Sequence, residues 1–196
     1  MFSTSIIYLI LPFIVSLPLF SCLILFFVPN KNVLLAKQIA LSTSFLVFFV
    51  SLFLWLFFDK EYARFQFVYD LAWIPSYNLN FSLGIDGISL FFVLLTTLLI
   101  PICLLASWDS VKSYVKEYLI AYLFMESLLI LVFCVKDVLL FYIFFESVLI
   151  PMFVIIGVWG SRERKIRAAY MFFLYTLVGS VLMLLSILYI YFVVGK

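Results

Sequence analysis

Charge is so sparse along this chain that six stretches run for about a membrane's thickness with almost no ionised side chain. They are Ile6–Val28, Gln38–Phe58, Ile88–Trp108, Tyr118–Val135, Val138–Trp159 and Ala168–Val194. A hydrocarbon core of about 30 Å is crossed by roughly 20 helical residues at 1.5 Å each. Only 11% of the 196 residues are charged and 68% are hydrophobic, with a mean hydropathy of +1.31. A soluble domain is about 25% charged, so the surplus apolar surface here must face lipid or other subunits. The expected fold class is an all-α polytopic membrane protein, a single membrane domain over residues 1–196 with six transmembrane helices. The first stretch is too long for a signal-peptide core and no basic residue precedes it. It also lacks the Arg-rich character of a transit peptide, and it reads as a permanent helix. The 25 phenylalanines fit an AT-rich organellar gene.

The same composition excludes several functions. Histidine is absent, which removes the commonest metal ligand and the usual acid–base residue at neutral pH. Cys22, Cys103 and Cys134 lie in separate apolar stretches and form no CxxC spacing, so haem, iron–sulfur and disulfide frameworks find no support. No GxGxxG or Walker sequence is present. A net charge of +2 supplies no basic field for nucleic acid. The expectation is a chain that binds no cofactor of its own and no nucleic acid, and whose solvent is lipid.

Lys and Arg in short loops set orientation. The loops after helices one, three and five hold Lys31, Lys37, Lys112, Lys116, Arg162, Arg164, Lys165 and Arg167. The other side holds Lys60, Arg64, Lys136 and Lys196. Eight against four places the first set in the cytoplasm or mitochondrial matrix and both termini on the opposite side.

The longest connection, residues 59–87, is patterned. Phe65, Phe67, Tyr69, Leu71 and Trp73 alternate with Arg64, Gln66, Val68, Asp70 and Ala72, and alternation resumes over Asn78–Leu83 after Pro75-Ser76. Period two on both sides of a Pro-Ser turn predicts a β-hairpin on the outer surface, between helices two and three. Its apolar face needs a cover. A neighbouring loop or subunit would serve, and so would the ends of the chain's own helices.

Two charged residues lie deep inside apolar stretches, Glu126 and Glu146. An acid at a helix centre costs about 2.5–3.5 kcal/mol on translocon scales. Glu126 precedes Lys136 by ten residues and Glu146 follows Asp137 by nine, so both sit roughly 14–16 Å from that turn. They share a depth near the midplane on adjacent antiparallel helices. Removal from water favours the neutral form of an acid, as does a second carboxyl nearby, whereas an approaching lysine favours the ionised form. A midplane acid can therefore take up or release a proton as a partner charge comes and goes. Pro151 has no N–H for the carbonyl of Ser147, so a kink and a free acceptor that water could reach are expected beside Glu146. The plainer reading is a pair of neutral acids acting as polar glue between helices. Pro101 likewise frees the Thr97 carbonyl, where a packing kink is enough explanation. The basic run Ser161–Arg167 reads as a topology anchor, or as a contact for lipid headgroups or a subunit.

Four segments carry a resemblance: Leu83–Phe92 (LGIDGISLFF), Phe141–Met152 (FYIFFESVLIPM), Gly157–Gly160 (GVWG) and Phe173–Ser180 (FLYTLVGS). In order and over nearly the whole chain, they resemble the chain 4 family of the mitochondrial NADH–ubiquinone oxidoreductase, respiratory complex I. The resemblance implies an antiporter-like, proton-translocating, non-redox subunit of the membrane arm, in the inner mitochondrial membrane with termini towards the intermembrane space. It implies other membrane-arm subunits as partners, and NADH, FMN, iron–sulfur clusters and ubiquinone bound elsewhere in the complex. The glutamate of the Phe-Phe-Glu-Ser motif is a proton-pathway residue in that family and falls on Glu146. Glu126 is carried over with less support.

One departure matters. Family members are much longer, and the broken helix and buried lysines that partner the glutamate come after residue 196. The chain supplies the acid of an acid–lysine switch without the base, so by itself it should not pump. The expected partner is a second polypeptide carrying the C-terminal part of chain 4, as a split gene would produce; a truncated expression product is the competing account. A subunit of a multisubunit cation/proton antiporter shares the buried glutamate, and a scaffold with no working proton path is a third reading. An assembled complex should hold a separate chain in the remaining helix positions with a buried lysine near Glu146. A map of the complex without such a chain, or without that lysine, overturns the expectation.

Overall fold

The computed structural model describes residues 3–62, 64–74, 79–161 and 163–194. Six long helices and one hairpin follow in chain order: α1 (Ser3–Phe27), α2 (Val33–Phe57), β1 (Gln66–Ile74), β2 (Leu79–Ile85), α3 (Gly87–Ala106), α4 (Val115–Cys134), α5 (Val138–Trp159) and α6 (Lys165–Val194). All six helices are long and apolar enough to cross a membrane. Several begin before the apolar stretches do, because lysine-bearing first turns such as Val33–Lys37 and Lys165–Arg167 continue the helix into the interface.

The helix ends show what terminates each span. The first N–H and last C=O groups of a helix have no intrahelical partner, and in a bilayer they cannot be left bare. At one end of the bundle, α3 and α5 begin on aspartates. The Asp86 carboxylate accepts from the Ser89 N–H at 2.6 Å, and Asp137 accepts from the Leu139 and Leu140 N–H groups at 2.9 and 3.2 Å. At the opposite end, lysines donate to the last carbonyls of the helices finishing there. Lys116 reaches the Phe26 carbonyl of α1 and that of Val28 just beyond it, Lys37 that of Trp108 beyond α3, and Lys165 that of Val158 in α5. Each charge complements the helix dipole it meets. Three of the lysines that bias orientation are thus also helix caps.

α4 is the hub. It packs against α1, α2, α3 and α5, whereas α6 packs mainly on α5. Leu119, Leu123, Leu128, Ile130 and Leu131 of α4 are buried, while α6 exposes apolar side chains along most of its length, Tyr175 at 84%. Such a surface needs lipid or protein around it.

β1 and β2 pair antiparallel, with Tyr69 opposite Leu83 and Leu71 opposite Phe81. The expected turn at Pro75-Ser76 lies outside the described residues. Strict alternation does not hold. Gln66 pairs with Ile85 but Tyr69 with Leu83, so β1 carries an extra residue there, and Phe67 adopts φ 53. Such a bulge re-aims a side chain. Phe67 is 5% exposed while Leu71, nominally on the same face, is 52% exposed. The left-handed conformation is unfavourable for a bulky residue, and here it accompanies burial of a whole aromatic ring. The cover for the hairpin is the chain's own helix ends: Phe67, Leu83 and Ile85 share one core with Leu11, Ile14, Leu54, Leu90 and Ile130. The Lys136 N–H also donates to the Ser82 carbonyl at 2.9 Å, and Phe81 meets Phe144 edge to face. A neighbouring subunit is not needed for that face, because four helix ends already form an apolar platform beneath it.

The hydroxyl and N–H of Ser89 hold the Asp86 carboxyl below the usual aspartate range. Its folded-state affinity for a proton is lower than in the unfolded chain, so the cap's contribution is present at neutral pH and fades as pH falls through the carboxyl's folded value. Asp86→Ala should destabilise the protein by about 1 kcal/mol at neutral pH, whereas Asp86→Asn keeps most of the cap and loses its acid sensitivity. Thermal unfolding across the acid range tests both.

Candidate functional site: two acids at one depth

Glu126 and Glu146 each lie eight residues from the hairpin-side end of their helices, α4 and α5. At 1.5 Å per residue that is about 12 Å below the ends, and the shared depth expected from the sequence is present. The two environments differ. Glu126 is 0% exposed, and neither carboxyl oxygen has a hydrogen-bond partner among the described residues. Glu146 is half-buried, with its Oε1 enclosed and also unpartnered. No hydrogen bond joins the two acids.

The surroundings of Glu126 are built by α1 to α4. Its neighbour Ser127, fully buried, donates to the Val15 carbonyl of α1 at 3.1 Å and ties α4 to α1. Other hydroxyls are buried in the same four-helix interior. Thr43 of α2 donates to Ser21 of α1 at 2.9 Å, and Ser51 of α2 pairs with Thr97 of α3 at 2.9 Å. These Ser and Thr side chains also bond to carbonyls of their own helices, so their polar atoms are satisfied. The carboxyl of Glu126 is the exception.

Glu146 sits at the other flank. Ser147 turns its hydroxyl back to the Ile143 carbonyl at 2.7 Å and leaves the acid alone. Pro151 is buried within α5, which continues unbroken from Val138 to Trp159. Proline has no N–H to give, but the helix runs on through it. Tyr142, one turn before Glu146 on the same helix face, is close to both the Glu146 carboxyl and Ser180 of α6; Ser180 is 3% exposed. Sequence reasoning missed Tyr142 and Ser180. The four-residue spacing from Tyr142 to Glu146 was the available signal, whereas Ser180 required knowledge of which helix packs beside α5.

A carboxyl group in such a place chiefly holds, accepts or releases a proton. Among the described residues there is no group of three His, Cys, Asp or Glu side chains that could hold a metal ion, and all three cysteines are free.

A family described as NADH:quinone oxidoreductase/Mrp antiporter, transmembrane, matches residues 135–196, the segment that contains Glu146, Ser147 and Pro151. NADH-ubiquinone oxidoreductase chain 4 of Arabidopsis thaliana is 58% identical over 91% of this chain, and that of Marchantia polymorpha 58% over 93%. The red alga Chondrus crispus has a chain 4 that is 57% identical over 91%. The chain belongs to the NADH-ubiquinone oxidoreductase chain 4 family. It spans about a third of the length of these relatives, 36–37%. A chain of the respiratory complex I from Thermus thermophilus, solved with bound NADH, superposes with a TM-score of 0.77 at 27% identity. The match covers 96% of this chain and 36% of that one. The fold is therefore that of an antiporter-like membrane domain, to which the small hairpin is added.

Ser127→Ala would leave the Val15 carbonyl without this donor at the α1–α4 contact. Interhelical hydrogen bonds of this kind average about 0.6 kcal/mol, and a loss of that size is expected in unfolding from detergent or bicelles. No change would show the bond to be dispensable.

Proposed function

We propose that the chain is part of the membrane arm of mitochondrial NADH:ubiquinone oxidoreductase, and that Glu146 takes up and releases a proton there as one step of proton translocation. The observation that carries the reading is the enclosed, unpartnered carboxyl oxygen of Glu146 at membrane depth, inside the segment that matches the antiporter family. The names of the relatives supply the complex. A cation brought near a carboxyl favours its ionised form, and withdrawal of the cation favours return of the proton. The four-helix core contains Glu126 at the same depth but no lysine or arginine beside either acid among the described salt bridges. The cation must then come from further helices of the family fold, whether on the same polypeptide or another.

In this reading the chain carries no redox chemistry. NADH oxidation through FMN and iron–sulfur clusters, and ubiquinone reduction, belong to other parts of the complex. The lysine-rich end faces the matrix of the inner membrane and the hairpin faces the intermembrane space. The matched family also covers cation/proton antiporters, but the chain 4 identities of 57–58% favour the respiratory complex.

Glu146→Gln keeps the size of the side chain and removes its ability to release a proton. In membranes containing the assembled complex, protons moved per NADH should fall sharply, while electron transfer from NADH to an artificial acceptor is retained. Unchanged pumping with the complex intact would leave a scaffold role in place of this one.

A further inference from the structure

We infer that Glu126 is a second proton-exchange site, reached from the lysine-rich end of the bundle along Tyr118 and Tyr122 of α4. Its physiological use rests on the membrane-arm reading above, but its geometry stands apart from Glu146. Both oxygens of Glu126 are enclosed without a hydrogen-bond partner among the described residues, in a side chain that is 0% exposed. Leaving a buried polar group unmatched is costly, and more so for a charged one. A neutral acid that also reaches a hydrogen-bonded water lowers that cost. A core built only for cohesion would place an apolar residue here.

The groups around it define the direction of exchange. Its own helix carries Tyr122 and Tyr118 one and two turns before it, Cys22 of α1 lies near it with its thiol on the Ile120 carbonyl, and Cys103 of α3 lies near Tyr122. Lys37, near the start of α2, is held by the Trp108 carbonyl at the lysine-rich end. Glu146 of α5 makes no hydrogen bond to Glu126. The hydroxyls of α1 to α3 in this interior are engaged with each other or with carbonyls of their own helices, so the row of oxygens we take as the way out of the core is the one on α4.

Residues four apart share a helix face, and helical side chains lean towards the N-terminus. Tyr122 and Tyr118 therefore lie on the face of α4 that carries Glu126, one and two turns towards the helix start, and their two rings are 4.7 Å apart. Tyr118, 6% exposed, lines a cleft of about 10 Å³ at the lysine-rich end together with Lys37, Ser107 and Trp108. That is room for about one water. Trp159 of α5 packs on the Tyr118 ring at 5.2 Å and is anchored by its indole N–H donating to the Ser113 carbonyl at 2.9 Å. The phenols are positioned by packing, and each hydroxyl both donates and accepts.

Proton balance is simple along such a row. The Glu126 O–H bond breaks towards an adjoining oxygen, of a water or of Tyr122. That oxygen passes its own proton to the next, and the last proton leaves through water in the cleft. Each hydroxyl ends neutral and the carboxyl is reprotonated by the reverse steps. No electron moves and no co-reactant is needed.

Infrared difference spectroscopy on membranes holding the assembled complex tests this directly. The carboxylic C=O band that Glu126→Gln removes should shift on transfer to D2O. In Tyr118→Phe and Tyr122→Phe, which remove one hydroxyl and keep the ring, that exchange should slow by about tenfold or more. In Glu146→Gln it should keep its wild-type rate, which separates this site from the proposed pumping acid. Equal exchange rates in the wild type and both phenylalanine variants would overturn the route. Absence of any band assignable to Glu126 would overturn the protonated site.

Discussion

Inside a bilayer every backbone N–H and C=O must find its partner within the chain, and the rest of this structure follows from that demand. Helices meet it internally for all but their ends. At the hairpin end, Asp86 and Asp137 accept the first free N–H groups of α3 and α5. At the other end, Lys37, Lys116 and Lys165 donate to the last carbonyls near the ends of α3, α1 and α5. The few charges in an 11% charged chain are thus concentrated where the helix dipoles need them. The lysine excess that biases orientation has this second, structural use.

With the backbone satisfied, polar side chains in the core become the informative exceptions. Buried hydroxyls in α1 to α4 pair with each other or with carbonyls. Glu126 and the Oε1 of Glu146 do not. Two acids at equal depth, one sealed in the four-helix core and one at the α5 flank beside Tyr142 and Ser180, face different neighbours. They are better understood as two sites than as a carboxyl pair. The flank at α5 and α6 is also where the chain is least covered.

The spans, the hairpin and the depth of both acids were legible in the sequence because each rests on spacing alone: about 20 apolar residues for a helix, period two for a strand, 1.5 Å per residue for depth. What covers the hairpin was not legible. Phe67 enters the core through a bulge with φ 53, and Leu71, two alternations on, points out. A local pattern cannot show that four helix ends meet to make a platform. Nor could it show that the Ser147 hydroxyl would donate to the Ile143 carbonyl rather than to Glu146.

By itself, the order of residues determined that the chain must live in lipid as six helices, and that two acids would be carried to one level within it, since hydropathy and helical rise depend only on composition and count. The tertiary structure alone decided the rotation of each helix about its axis, because that is set by which side chains pack across helix contacts distant in sequence. It turned Glu126 inward among α1 to α4, packed the Tyr118 and Trp159 rings edge to face, set Tyr142 between Glu146 and α6, and left the two carboxyls without a bond to each other.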